Sequence, residues 1–127
     1  MKKQHAVDSI EGVWQMVRAE HDGNEAPALV VQRTKLRLVA GLYSVDFHGK
    51  TTDKGTYELP SEEGATSLVL HGKSGPNSGR TIRCIFQQVR DRLRVCYGLD
   101  GIEPQDFTTR PGQNRYVATY RRVLDRA

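Results

Sequence analysis

Two His-Gly-Lys tripeptides, His48-Gly49-Lys50 and His71-Gly72-Lys73, and the triplet His21-Asp22-Gly23 are the residues of this chain best suited to chemistry. Imidazoles and ammonium groups gathered in one place can hold an anionic headgroup. Three neutral imidazoles can hold zinc or iron with one coordination position left open. The same tripeptide is also a good turn, with Gly supplying positive φ while His and Lys stay in water. The turn is the first reading, the anion-binding rim the second and the metal site the last, so no metal or cofactor is assigned.

Ser74-Gly75-Pro76-Asn77-Ser78-Gly79-Arg80-Thr81 approaches the phosphate loop G-x-x-x-x-G-K-[ST], with Ser74 in place of its first Gly and Arg80 in place of its Lys. A strand pattern follows, whereas that motif needs a helix N-terminus to hold phosphate. The chain contains no H-E-x-x-H, C-x-x-C or G-x-S-x-G. Glu62-Glu63 would point apart on a strand and is solvated in a loop. Cys84 and Cys96 flank a tight turn at Arg90-Asp91. Pairing Val89 with Arg92 sets Phe86 opposite Val95, Cys84 opposite Tyr97 and Cys96 opposite Ile85. The two thiols then face opposite sides of the sheet, too far apart in direction for a disulfide. Neither has a neighbouring His in sequence to make it a nucleophile. No catalytic residue is assigned, and the chain reads as a non-enzyme.

These groups must be carried by a small domain. A chain of 127 residues, 37% hydrophobic and 27% charged, has room for one core. No apolar run approaches the ~20 residues that span a bilayer. The opening MKKQHAVDSIEG meets His5, Asp8 and Glu11 where a signal peptide needs an apolar stretch, so the chain as written reads as cytoplasmic. A longer, exported precursor is compatible with that. Net charge is +4 and uneven: residues 1–63 hold 8 Lys/Arg against 10 Asp/Glu, residues 64–127 hold 11 against 5. Arg83, Arg92 and Arg94 alternate with Ile82, Cys84, Leu93 and Val95, the pattern of a solvated strand face. No aromatic platform or recognition helix accompanies the charge, which argues against nucleic acid as a partner.

Turn residues recur every eight to twelve positions, the spacing of an all-β sandwich or barrel. The first strand is expected over Val13 to Glu20, ending at Asp22-Gly23. Ala28 to Gln32 reads equally as one helical turn or as an irregular cover. Strands follow around Leu36-Leu38, Tyr43-Val45-Phe47, Thr56–Leu59 closed by Pro60, Leu68–Leu70, Arg80–Gln88, Leu93–Tyr97 and Tyr116–Val123. A long loop runs from Gly98 to Asn114. Eight strands joined by short turns predict an antiparallel up-and-down β-barrel over residues 9–123, with a flexible segment 1–8 and a tail 124–127. A two-sheet sandwich is the structural alternative. Leu36, Leu38, Tyr43, Val45, Phe47, Tyr57, Leu68, Leu70, Phe86, Val95, Tyr97, Tyr116 and Tyr120 are expected inside. Of these, Tyr43, Tyr57, Tyr97 and Tyr120 are the candidates to touch an interior ligand. In a meander, the connections after strands one, three, five and seven share one end. That end would carry His21, His48, Lys50, His71 and Lys73.

Gly12-x-Trp14 heading the first strand and Arg121-Arg122 closing the last resemble the lipocalin and wider calycin families. Read in order, GVWQMVRAEHDGNEAP, GTYEL, SGPNSGRT, LRVCYG, DFTTRPG and YVATYRR resemble the lipocalin-like domain of unknown function abundant in planctomycete bacteria. The likeness covers roughly residues 9–122. It implies a barrel whose closed end is plugged by Trp14 under an arginine, Arg122 by strand parity with Tyr116, Ala118 and Tyr120. It implies no established activity. The chain departs from that pattern at Arg90-Asp91-Arg92, where a Gly-containing turn is usual, and at Glu103, where a basic residue precedes the proline. The first functional reading is a non-enzymatic domain that binds a small apolar or amphipathic, even anionic, molecule in the barrel, reached through the His48/His71 rim. The alternative is a filled barrel that meets another protein or domain through its basic outer face. Enzyme activity at the rim stands third, and no membrane partner is expected.

Overall fold

The computed structural model describes residues 10–59 and 66–124. The segment 1–8, Pro60, the Glu62-Glu63 pair and residues 125–127 of the tail lie outside them.

Alternation builds the strands. In β3 (Thr34–Val39), Thr34, Leu36 and Leu38 are buried while Lys35, Arg37 and Val39 are exposed, as in a sheet with one face on a core. Ala40 at φ 53 and Gly41 at φ 82 join it to β4 (Leu42–Phe47). His48 at φ 55 and Gly49 at φ 84 join β4 to β5 (Lys50–Glu58). Positive φ at both central residues gives a type I′ turn, whose twist matches the strands it connects. The strands β6 (Ser67–Ser74), β7 (Thr81–Val89), β8 (Arg92–Gly98) and β9 (Arg115–Arg122) follow, each antiparallel to its neighbour. The last, β9, pairs with β1 (Gly12–His21) and closes the ring. The fold is therefore the eight-stranded antiparallel barrel of lipocalin type, and closure removes the sandwich alternative. A two-residue β2 (Asn24–Glu25) folds back onto the end of β1 through Asp22-Gly23. Ala28–Gln32, open from sequence, is a five-residue helix, α1.

The β7–β8 register is the one expected, with Cys84 opposite Tyr97, Cys96 opposite Ile85 and Val89 opposite Arg92. Both cysteines are free and buried, on opposite sides of the wall. Two strands are longer than expected. β5 begins at Lys50, not Thr56, and β6 runs on through His71-Gly72-Lys73 to Ser74. The added residues are mostly polar and carry no hydrophobic period, so only pairing reveals them. One glycine makes that pairing sterically feasible, and a second lets the following loop fold back against β6. A Cβ at Gly55 would lie 2.0 Å from the His71 carbonyl oxygen, and one at Gly72 1.9 Å from that of Asn77.

Inward residues form one cluster that includes Trp14, Met16, Leu36, Leu38, Tyr43, Leu68, Leu70, Phe86, Val95, Tyr97 and Tyr120, with Val45, Tyr57 and Tyr116 half-buried against it. Phe47, expected inside, is 37% exposed, because it ends β4 beside the His48-Gly49 turn. Outside the wall, Ile85, Cys96 and Val117 form a second small core under Phe107 of the long loop. The Arg94 guanidinium stacks 4.1 Å from the Phe107 ring. That loop is tied back by the Gly23 N–H to Thr109 Oγ1 and the Gly112 N–H to Asp22 Oδ1. Glu103 accepts a hydrogen bond from the Ser67 hydroxyl.

Candidate functional site

The end holding Trp14 and Arg122 is closed. The two residues are register partners on β1 and β9, and the guanidinium lies 4.4 Å from the indole ring. The indole N–H donates to the Ile10 carbonyl at 2.9 Å, and Arg122 Nη1 donates to the Glu11 carbonyl at 2.7 Å. The Glu11 carboxylate accepts the Ala40 N–H and the Tyr57 hydroxyl. Gly12, at φ 137, has no Cβ to meet Arg122 Nη1, which would lie 2.8 Å from it.

The four candidate tyrosines are not gathered around one point. Tyr97 and Tyr120 share a 2.6 Å hydroxyl–hydroxyl hydrogen bond deep in the core. Burial, and then each other's proximity, hold Tyr97 well above the ordinary phenol range, and burial raises Tyr120 too. Tyr57 is spent on Glu11 at the closed end, with burial and that carboxylate raising its pKa. Tyr43 points to Asp53 at 3.4 Å and is pushed up to about 12 by burial and by the Asp53 charge.

The polar cluster expected at the open rim is divided. His48 sits in its turn, exposed, and Lys50 opens β5. His71 and Lys73 are strand residues of β6 and not part of a connection. The His71 ring bridges Glu58 Oε2 at 2.7 Å and Thr81 Oγ1 at 3.3 Å on the outer face. His21 stands against Tyr116, ring centroids 6.3 Å apart. Among the described residues, no three His, Cys, Asp or Glu side chains come together in a way that could hold a metal.

Asp53 was missed from sequence because the strand that carries it was missed. It lies opposite Val45 in the β4–β5 pairing, and its Oδ2 accepts the Asn77 amide at 2.9 Å and the Tyr43 hydroxyl. Its Oδ1 is buried and has no hydrogen-bond partner among the described residues.

Among the described residues, a recess of ligand size lies in the wall itself. β1 pairs with β3 only from Gly12 to Gln15, then a bulge between Met16 and Arg18 turns it away along β9. Into the gap comes α1. Gln15 seals its lower edge, its amide nitrogen 2.9–3.3 Å from the carbonyls of Met16, Val31, Gln32 and Thr34. Above this stitch opens a cleft of about 590 Å³, lined by Met16, Ala26, Ala28 and Val31 together with Gln32 and Arg121. Glu25, also in the lining, is held by Arg18 at 2.9 Å. Met16, on the inner side of the cleft, belongs to the barrel core and is almost fully buried. No family model, curated protein or solved structure matches this chain.

Proposed function

We propose that this is a lipocalin-like binding module without chemistry of its own, holding a small amphipathic molecule in the seam between β1 and α1. One observation carries the reading: a cleft of about 590 Å³, lined by apolar and polar groups in similar measure, sits where the wall lacks a strand-to-strand ladder. Ligand clefts commonly span ~300–1,000 Å³ and are lined by apolar groups with a few polar ones at the edge. The interior argues for the flank over the barrel centre, since Tyr97, Tyr120 and Tyr57 already bond within the protein. The closed eight-stranded barrel is compatible with this class of function, as is the Trp14–Arg122 stack at its closed end. Titration with octanol, read on the methyl resonances of Met16 and Val31, is the test. Both should shift, and Ala28→Trp should abolish the shifts while leaving the unfolding midpoint in place. Shifts confined to Leu70, Tyr97 and their neighbours would instead put the ligand in the barrel centre and sink the seam.

A second reading, an interaction module, draws on the closed end. There Val39, Leu42, Leu59, Val89 and Leu124 are all exposed, at 40–69% of their surface. Self-association is its simplest form. Sedimentation equilibrium should then show a species heavier than the monomer that Leu42→Glu with Val89→Glu returns to monomer.

A further inference from the structure

Beside the seam lies a second cleft of about 350 Å³, on the outer face of β3 and β4. Gln32 lines both clefts, so they adjoin at one residue. The second is lined by Arg33, Lys35, Arg37 and His48, with Asp46 among them. Strand alternation puts Lys35 and Arg37 on the outer face, about two residue rises apart. Arg33 follows α1, and its carbonyl accepts the His48 N–H at 2.8 Å, which pins the imidazole-bearing turn beside it. The charge is not balanced. Asp46 is held by the Thr51 hydroxyl at 2.8 Å, lies 3.7 Å from Arg37 and stands opposite Lys35 in the β3–β4 register, while Arg33 has no ion-pair partner among the described residues.

Three cations against one carboxylate suit a multiply charged oxyanion. A phosphate monoester carries about −1.5 to −2 at neutral pH and three acceptor oxygens, whereas a carboxylate carries one charge. Arg presents paired donors to such a group, and Lys adds a point charge. We infer that the Arg33–Lys35–Arg37–His48 cleft is a phosphate-monoester site, and that with the adjoining seam it selects an amphiphile with a phosphate head. The second half of that inference rests on the seam reading; the first half stands by itself. Gln32 is the boundary, with the tail over Met16 and Val31 and the head against the basic wall of β3.

The full chain is titrated with octyl phosphate, octanoate, octanol and inorganic phosphate, by calorimetry and by resonance shifts of His48 and the arginine side chains. Octyl phosphate should bind about tenfold more tightly than octanol, in line with one or two charge-assisted hydrogen bonds, and more tightly than octanoate. The preference should weaken as salt rises. Arg33→Ala with Lys35→Ala should bring octyl phosphate to the level of octanol and leave octanol unchanged. Inorganic phosphate should shift His48 in wild type and in Ala28→Trp, but not in the double variant. If inorganic phosphate binds this way while no octyl compound fills the seam, the phosphate site stands and the seam reading falls. If octyl phosphate binds no better than octanol and inorganic phosphate leaves His48 unmoved, the phosphate inference is overturned.

Discussion

The two halves of β1 have opposite surroundings. From Gly12 to Gln15 the strand pairs with β3, from Trp14 it pairs with β9 as well, and Trp14 is fully buried under Arg122. From Met16 onward it keeps β9, loses β3, and faces a short helix with no side-chain cap and no buried residue. One strand thus serves a sealed floor and an open flank. The difference teaches where stability and binding reside. The floor gathers buried aromatic surface and paired polar groups, while the flank leaves backbone carbonyls to a single side-chain amide. Ligand-binding segments come from the weakly held parts of a fold.

The largest test of that contrast is Trp14→Ala. It removes a fully buried indole, its bond to the Ile10 carbonyl and the surface on which Arg122 stacks. The loss should be about 3–5 kcal/mol, the usual range for truncating a buried aromatic. Chemical denaturation measures it. Octanol shifts at Val31 should persist under conditions where the variant remains folded, because the floor and the seam are separate. A variant as stable as wild type would remove the floor from its place in the comparison.

Next in size is Tyr97→Phe, which tests the core between the two regions. It leaves the Tyr120 hydroxyl buried without its 2.6 Å partner, a cost of about 1–3 kcal/mol. The wild-type pH profile should carry a matching signature. Burial raises Tyr97, Tyr120 and Tyr43 in the folded state, so above pH ~10 the unfolded chain sheds phenol protons that the folded chain keeps. Stability is then present below that pH and falls as pH rises beyond it. Tyr97→Phe should make that alkaline fall shallower. Denaturation midpoints between pH 8 and 11 would show it, and an unchanged slope would count against the buried pair.

What could be read from the sequence tracks what has a hydrophobic period. Leu36 and Leu38 on β3, the β7–β8 register through Val89 and Arg92, and the parity that selects Arg122 over Arg121 all follow from alternation. The first half of β5 and the end of β6 have no such period. Thr51 to Lys54 and His71 to Ser74 are strands because their neighbours pair with them, and Gly55 lets the backbones of β5 and β6 approach. Missing them hid Asp53 inside the barrel and moved His71 and Lys73 into a loop they do not occupy. The seam was illegible for a different reason. Gln15 looks like any outward strand residue, and only the divergence of β1 from β3 gives its amide four carbonyls to face. The expected plug of Trp14 and Arg122 concerns the floor and says nothing of this flank.

The smallest global effect, and the sharpest for the comparison, is expected from Gln15→Ala. The amide can donate two protons, and its loss leaves the Val31 and Gln32 carbonyls free to turn toward water, since Gln32 is already exposed. The stability cost should therefore be about 1 kcal/mol, the net worth of an ordinary hydrogen bond, and well below that of Trp14→Ala. Locally the effect should be larger. α1 is a five-residue helix, too short to hold itself, and its C-terminal end is otherwise secured by the Thr34 hydroxyl and Arg33 N–H on the Val30 carbonyl. Hydrogen exchange at Val30 and Val31 should accelerate while exchange at Trp14 and Tyr120 stays at the global rate. Uniform acceleration across β1, β9 and α1 would mean that floor and flank open together, and that the division along β1 is one of geometry without a difference in local stability.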